Sequence, residues 1–364
     1  MRIQSLRIEQ LRLFDQVELQ PASGINLLIG NNGAGKTTVL EAIHLLSSGR
    51  SFRSGSRDAL IRRGQSEFSV FAELVSGRDG RAARLGLARS ARSWSARLDG
   101  QPLDRMSRLF QELAVVCFEP NSHALVTGSS ELRRRFVDYA LFHVEPSFIG
   151  SWRRYQRALK QRNVLLKQDG VESQLAPFEA ELAEQGAAVD AMRARWLAEF
   201  HPALVKTAGN FLPELGAVDL RFQHGWSGDD SAQRLLAALK ESRPRERAAG
   251  HTMVGAHRSD WVIGFEHLPT REMFSRGQEK LVVLALLLAQ ATALAEARQE
   301  WPVVLLDDLP SELDGEHLAA TLRWLAEKPL QAFLTATGPL DLPPERRLES
   351  RVFHVEQGQL GALV

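Results

Sequence analysis

Cysteine is almost missing from this chain of 364 residues: one occurs, Cys117. A lone thiol excludes an internal disulfide and suits a reducing compartment, so a cytoplasmic protein is expected. Long apolar runs are missing too. The longest, Leu281 to Ala289, has nine residues, roughly half of the 20 needed to span a bilayer. The opening residues Met1 to Arg7 lack the apolar stretch of a secretory signal. Net charge is nearly absent at +1, and there is no zinc-finger spacing and no aromatic-rich stacking motif.

What is present begins with size. A chain this long exceeds one compact core, so two domains, or one carrying a large insertion, are expected. Apolar content of 44% is ordinary for a globular protein. The charge is unevenly spread. Residues 1–170 hold 26 Lys and Arg against 16 Asp and Glu, whereas residues 171–364 hold 19 against 28. Such asymmetry points to a basic face for a polyanion.

Gly30-Asn31-Asn32-Gly33-Ala34-Gly35-Lys36-Thr37 fits the phosphate-loop pattern G-x-x-x-x-G-K-[ST]. It follows an apolar run, Ile25 to Ile29, that reads as a strand. It precedes a helical stretch opening at Thr38. Glycines let backbone N–H groups wrap a phosphate, and the helix N-terminus adds a positive dipole end. Lys36 is expected on the β- and γ-phosphates and the Thr37 hydroxyl on Mg²⁺. Residues Gly30 to Thr38 thus form the candidate nucleotide site.

Val303 to Leu306 is an apolar run followed by Asp307 and Asp308. Acids at the carboxyl end of a buried parallel strand sit beside a phosphate loop. Asp307 is expected to hold Mg²⁺ with Thr37. Asp308, with Lys36, is expected to be catalytic by orienting the attacking water. No N-K-x-D guanine motif occurs, so ATP is the expected nucleotide. Residues 36 and 307 lie far apart, which suggests an insertion inside an ATP-binding-cassette head.

Phe274-Ser275-Arg276-Gly277-Gln278 opens a long apolar helix. A serine hydroxyl, a glycine N–H and a helix dipole make a second anion site, which in cassette ATPases serves the γ-phosphate of the opposite subunit. The plainer reading is a helix N-capped by Ser275. Ser311-Glu312-Leu313-Asp314 matches the loop that crosses such a dimer interface.

Alternation and periodicity place the remaining elements. Strands are expected at 3–8, 13–19, 68–75, 83–98, 218–223, 252–265, 303–306, 332–335 and 352–355. Helices are expected at 149–167, 175–211 and 278–298, with a break at 168–171. The fold class is therefore α/β: an ABC-type phosphate-loop ATPase head with mixed sheets around the loop helix. The head is split between residues 1–119 and 249–364, and a mainly helical arm occupies 120–248.

These motifs, with Gly49 to Arg53, Arg133 to Asp138, Lys160 to Asn163 and Gly255 to Asp260, resemble the RecF family of bacterial, SMC-like ATPases. The resemblance spans nearly the whole chain. It implies ATP-dependent homodimerisation, binding of double-stranded and gapped DNA, and weak DNA-stimulated ATP hydrolysis acting as a switch. It also implies work with RecR and RecO to load RecA for recombinational repair, replication restart and SOS induction. The trans phosphate site would be Ser275, Arg276, Gly277 and Gln278, and the interface loop Ser311 and Asp314. The chain departs from the family at Asn121, where an acid is usual. Asp308 stands in place of a glutamate, which favours slow turnover.

Basic residues without an intervening acid fill the first arm helix. Arg153, Arg154, Arg157 and Lys160, followed by Arg162 and Lys167, are joined by Arg53 and Arg57 after the loop helix. Rows that neutralise phosphates bind DNA without sequence preference. Two other readings remain at this level: a structural clamp in which hydrolysis plays no part, and the ATPase subunit of a transporter. His257 is compatible with either a site or a structural role.

Overall fold

Apolar runs become strands buried on both faces, as a covered parallel sheet requires. The computed structural model describes residues 1–53, 57–90, 93–168, 172–343 and 349–363. They form two compact units, residues 1–122 with 284–364, and residues 123–283.

In the first unit a six-stranded sheet has the order Gln359–Leu363, Arg351–Glu356, Ile25–Ile29, Ala332–Ala336, Val303–Leu306, Val115–Phe118. Neighbours are parallel except for the terminal hairpin of Arg351–Glu356 with Gln359–Leu363. The second sheet is antiparallel, in the order Gln16–Leu19, Arg2–Glu9, Glu67–Val75, Ala82–Ser90, Trp94–Leu98, Gln101–Pro102. Its strands alternate buried and more exposed residues, as in Glu67–Val75, because one face packs and the other is solvated.

The helix Lys36–Ser48 follows the phosphate loop, and ten of its thirteen residues are buried. Val39, Leu40, Ile43 and Leu46 join one core with Leu6, Phe68 and Leu85 of the antiparallel sheet and Val303, Phe333 and Phe353 of the other. A helix apolar on every side must be enclosed. Here it is enclosed between two sheets, so the loop at its N-terminus is rigidly placed.

The second unit is mainly helical. Ser130–Val144, Phe148–Leu165, Glu172–Phe211 and Ala232–Ala249 accompany a two-stranded antiparallel sheet of Val218–Gln223 with Asp260–Phe265. The forty-residue helix Glu172–Phe211 tolerates Pro177 and Pro202. Residues 249–283 pack with this unit, whereas the sequence pattern placed them with the head. Helix Arg276–Arg298 begins in the second unit and ends in the first. It is long and apolar enough to cross a bilayer by composition, and most of that stretch is buried in protein.

Three expected elements differ in the structure. Residues 83–98 form two strands, Ala82–Ser90 and Trp94–Leu98, with residues 91–92 outside the described residues. The strand expected from residue 252 starts only at Asp260, because residues 252–259 form a turn held by side chains. The strand expected from Leu13 starts at Gln16, since Gln10 and Arg12 take left-handed conformations that end the pleat. The expected helix break at 168–171 lies largely outside the described residues.

Candidate nucleotide site

The phosphate loop needs backbone that only glycine supplies cheaply. Gly30 has φ +154° and its Cα faces the sheet so closely that a Cβ would lie 2.1 Å from the Val355 carbonyl oxygen. Gly33 and Gly35 also have positive φ, 78° and 117°. Lys36 folds back over the loop, its Nζ donating to the carbonyls of Gly30 (2.7 Å) and Asn31 (3.0 Å). Burial pushes the Lys36 pKa down, while the carboxylates of Asp308 and Asp307 oppose that shift.

Sheet register brings the acidic pair to this loop. The strand Ala332–Ala336 lies between the loop strand and the acidic strand, pairing Leu334 with both Leu27 and Leu306. Asp307 and Asp308 therefore leave the sheet beside Thr37. Asp307 Oδ1 accepts from Thr37 Oγ1 at 2.9 Å and from Thr335 Oγ1 at 2.8 Å. The Thr335 hydroxyl also accepts the backbone N–H of Asp308 at 2.7 Å. One threonine thus orients both acids. Burial raises the Asp307 pKa above the usual carboxylate range, the Asp308 charge adds to it, and the two threonine hydrogen bonds oppose it.

Asp308 is left-handed, with φ 51° and ψ 38°. A non-glycine residue in that region is uncommon, and its strain is often kept at functional positions. Its Oδ1 accepts from Ser311 Oγ at 2.9 Å. Ser311, expected at a dimer interface, is exposed and helps to hold Asp308. Asp314 is exposed and caps the helix Gly315–Ala326, accepting from His317 N at 2.9 Å.

These groups line a cleft of about 920 Å³ in the first unit. Its lining includes Asn32, Gly33, Gly35, Lys36, Thr37 and Thr38 of the loop, both acids, and Thr335. It also includes residues to which the sequence motifs assigned no role: Arg12, Glu119 and Asn121. Glu119 and Asn121 follow the strand Val115–Phe118, which pairs in parallel with the acidic strand. Arg12 makes two bonds to buried Glu41, at 3.0 and 2.7 Å, fixing one wall. Neither contact is visible in sequence, because the partners are far apart along the chain.

The donor set fits Mg²⁺ arriving with a nucleotide. A hydroxyl and a carboxylate, both hard oxygens, share one point, and among the described residues the buried carboxylate forms no ion pair. Among the described residues no cluster of three potential metal ligands occurs. Mg²⁺ suits this arrangement because it keeps waters and takes phosphate oxygens as ligands.

The candidate trans site belongs to the second unit. Ser275, Arg276 and Gly277 are exposed. Gln278 Oε1 accepts from Ser275 N at 2.9 Å, and Ser275 Oγ accepts from Gln278 N at 3.3 Å. This is a reciprocal capping box. The plainer reading of this turn is therefore present, and it leaves the serine O–H and the Gly277 N–H open to an incoming anion.

The basic row divides. Arg154, Arg157, Lys160 and Lys167 are exposed on the helix Phe148–Leu165 and its end, and Arg153 is half-buried. Arg162 is fully buried and ion-paired to Glu179 at 3.0 Å and Glu246 at 2.6 Å, so it faces no ligand. Arg53 lines the nucleotide cleft, 3.9 Å from Glu41. The Arg57 side chain lies outside the described residues. His257 is structural in its bonding: both ring nitrogens have partners, in the Tyr155 hydroxyl and the Thr252 carbonyl.

A family model for the RecF/RecN/SMC N terminal domain matches residues 2–340. The DNA replication and repair protein RecF of Stenotrophomonas maltophilia (strain R551-3) is 47% identical over 366 residues, covering 100% of both chains. The chain belongs to the RecF family. The RecF of Shewanella sp. (strain MR-4) is 36% identical over 361 residues, with 98% of each chain covered. The solved structure of the recombination mediator protein RecF-ATPrS in the RecFOR pathway superposes with a TM-score of 0.89 at 25% identity, covering 100% of this chain and 98% of that one. An Smc head bound to the C-winged helix domain of ScpA matches with a TM-score of 0.60 at 14% identity, which speaks for fold alone, across 100% of this chain and 97% of that one. The family's ABC-type ATPase head fold, expected from the sequence, is the fold found.

Proposed function

We propose that this chain is an ATP-dependent, DNA-binding recombination mediator, in which ATP joins two copies across the phosphate loop of one and the Ser275 turn of the other. The observation that carries this reading is the meeting of Lys36, Thr37, Asp307 and Asp308 in one cleft, in a chain related over its full length to proteins named for DNA replication and repair. The first unit is the ATPase head, and the second includes the helical arm. A relative named for the RecFOR pathway supports RecR and RecO as partners; RecA loading on gapped duplexes as the outcome, and the cytoplasm as the place, belong to the same proposal.

Each residue has a task. The loop glycines and Thr38 present N–H groups to phosphate oxygens, and Lys36 exchanges its two carbonyl contacts for the β- and γ-phosphates. Thr37 and Asp307 would hold Mg²⁺, which would neutralise charge on the phosphates. Asp308 aligns water on the γ-phosphate. Its short side chain, already engaged by Ser311, aligns water loosely, so turnover is slow and the cycle behaves as a switch. Arg276 and Gln278 flank the trans phosphate contact of Ser275 and Gly277, while Ser311 and Asp314 meet the second copy. Arg153, Arg154, Arg157 and Lys160 supply sequence-independent phosphate contacts.

Sedimentation velocity with and without Mg·ATP tests the reading. A monomer that becomes a dimer on ATP, and fails to do so with Ser275→Arg, supports it; a chain that stays monomeric with ATP and duplex together sinks it. The clamp reading is separated by Asp308→Asn. A dimer lifetime on ATP unchanged by that substitution means that hydrolysis plays no part in release.

A further inference from the structure

Gly255-Ala256-His257-Arg258-Ser259-Asp260 takes no part in the nucleotide cleft, yet this turn is held as firmly as a core element. Tyr155 Oη accepts from His257 N at 3.1 Å and donates to His257 Nδ1 at 2.7 Å. The opposite ring nitrogen donates to the Thr252 carbonyl at 3.0 Å, so the imidazole is the neutral tautomer protonated on Nε2. Arg193 donates to the Ala256 carbonyl and to Ser259 Oγ. Gly225 backs the turn so closely that a Cβ there would lie 2.0 Å from the Gly255 oxygen.

The charges on this turn do not balance. Asp260 is taken by Arg133, with both contacts at 2.8 Å, and Asp138 by Arg193 at 2.7 and 2.9 Å. Asp190 is bonded to His224, and Glu131 to Arg135. Among the described residues the Arg134 side chain makes a single hydrogen bond, to the Ser259 carbonyl at 2.8 Å, although its guanidinium carries five N–H groups. It is half-buried, and desolvation with repulsion from Arg193 pushes its pKa down, against the pull of Asp260, Asp138 and Glu131. Arg258, next to that carbonyl, is exposed; its backbone N–H donates to the Gly255 carbonyl at 2.8 Å, and its side chain has no hydrogen bond or ion pair among the described residues. Arg134 and Arg258 thus both act on His257 of this turn, and the carboxylates near Arg134, Asp260, Asp138 and Glu131, are each bonded to another arginine.

We infer that Arg258 on the Gly255–Asp260 turn and Arg134, which reaches that turn from the helix Ser130–Val144, form a seat for a backbone phosphate of duplex DNA. Guanidinium groups bind phosphate through paired N–H donors, and a preorganised turn spends little ordering entropy on the contact. The turn offers no exposed aromatic ring for stacking, so it suits a duplex backbone better than unstacked bases. The inference rests on the DNA-binding reading above and adds its place.

The test is the salt dependence of binding to a short fluorescein-labelled duplex, with the full chain in Mg·ATP. Arg258→Ala and Arg134→Gln each remove one charge from the phosphate, and each should flatten the slope of log affinity against log salt by about 0.9. Arg258→Lys should keep the slope, because the charge remains. Arg135→Ala, which removes a neighbouring exposed charge outside the seat, should leave it unchanged. Wild-type slopes in both Arg258→Ala and Arg134→Gln overturn the seat, as does an equal effect of Arg135→Ala, which would indicate diffuse charge. Far-UV circular dichroism confirms that each variant is folded. A wild-type chain that binds no duplex at any salt overturns the DNA reading itself, and the seat with it.

Discussion

Asp307 shows how a single residue can be set against the fold that holds it. It is a buried carboxylate next to a second one, supported by two hydroxyls and, among the described residues, by no bonded cation. Removing its charge should relieve the chain and disable it together, a trade common at functional sites. Asp307→Asn is expected to raise the melting temperature without nucleotide and to abolish the further rise on adding Mg·ATP, both read by differential scanning fluorimetry. An unchanged Mg·ATP shift would remove Asp307 from the metal site. The raised pKa has a second consequence. Since only the carboxylate ligates Mg²⁺, nucleotide affinity should begin to fall in acid at a higher pH than an ordinary aspartate would set. Thr335 acts through its neighbours, so Thr335→Val should weaken Mg·ATP binding and leave the fold intact.

At the scale of elements, the second unit is joined by charges withdrawn from water. Arg162 on one helix meets Glu179 on the next and Glu246 on a third, all three fully buried. Breaking such a group leaves uncompensated charge, at a cost of about 3–5 kcal/mol. Arg162→Met should therefore lower the urea midpoint strongly, whereas Arg157→Met, on the exposed face, should not. The turn at His257 gives a pH signature. Burial, against the opposing Thr252 hydrogen bond, and the nearby positive charges of Arg258, Arg134 and Arg162 hold the His257 pKa down to about 4, from 6.5. Between those values the unfolded chain binds a proton that the folded chain refuses. Stability is thus full above pH 6.5 and is lost as the pH falls towards 4. From pH 6.5 to 5 the loss attributable to this residue is about 2 kcal/mol. Urea unfolding of wild type and His257→Gln at both pH values checks it, since the substituted chain should lose less.

At the scale of the whole molecule, the exposed Ser275 turn is a finished helix cap with anion-binding groups left over. A second copy carrying nucleotide would supply the anion. Adding ATP should therefore make the sedimentation coefficient depend on protein concentration, and added salt should oppose DNA binding far more than dimerisation. Equal salt sensitivity of the two would argue that one charged surface serves both.

Much of this was legible in the order of residues. The phosphate loop, the acidic pair and the Ser275 turn are contiguous, and each is a local backbone form that few sequences adopt. The apolar runs 25–29, 303–306 and 332–335 therefore became the strands on which the site stands. The Ser275 cap was readable from the residues before the helix, and the reciprocal bond from Gln278 came with the structure. The fates of individual charged and polar side chains were not readable. Arg162 and Arg157 look alike in sequence; the first is buried because carboxylates from two other helices close on it, and the second stays in water. Arg53 lines the nucleotide cleft, and Thr335 orients both acids, because strand order and register put them there. Sequence by itself determined which chemistry this chain carries, since local backbone geometry is written in adjacent residues. Tertiary structure alone decided which charges serve it, because the free energy of a charge depends on neighbours distant along the chain.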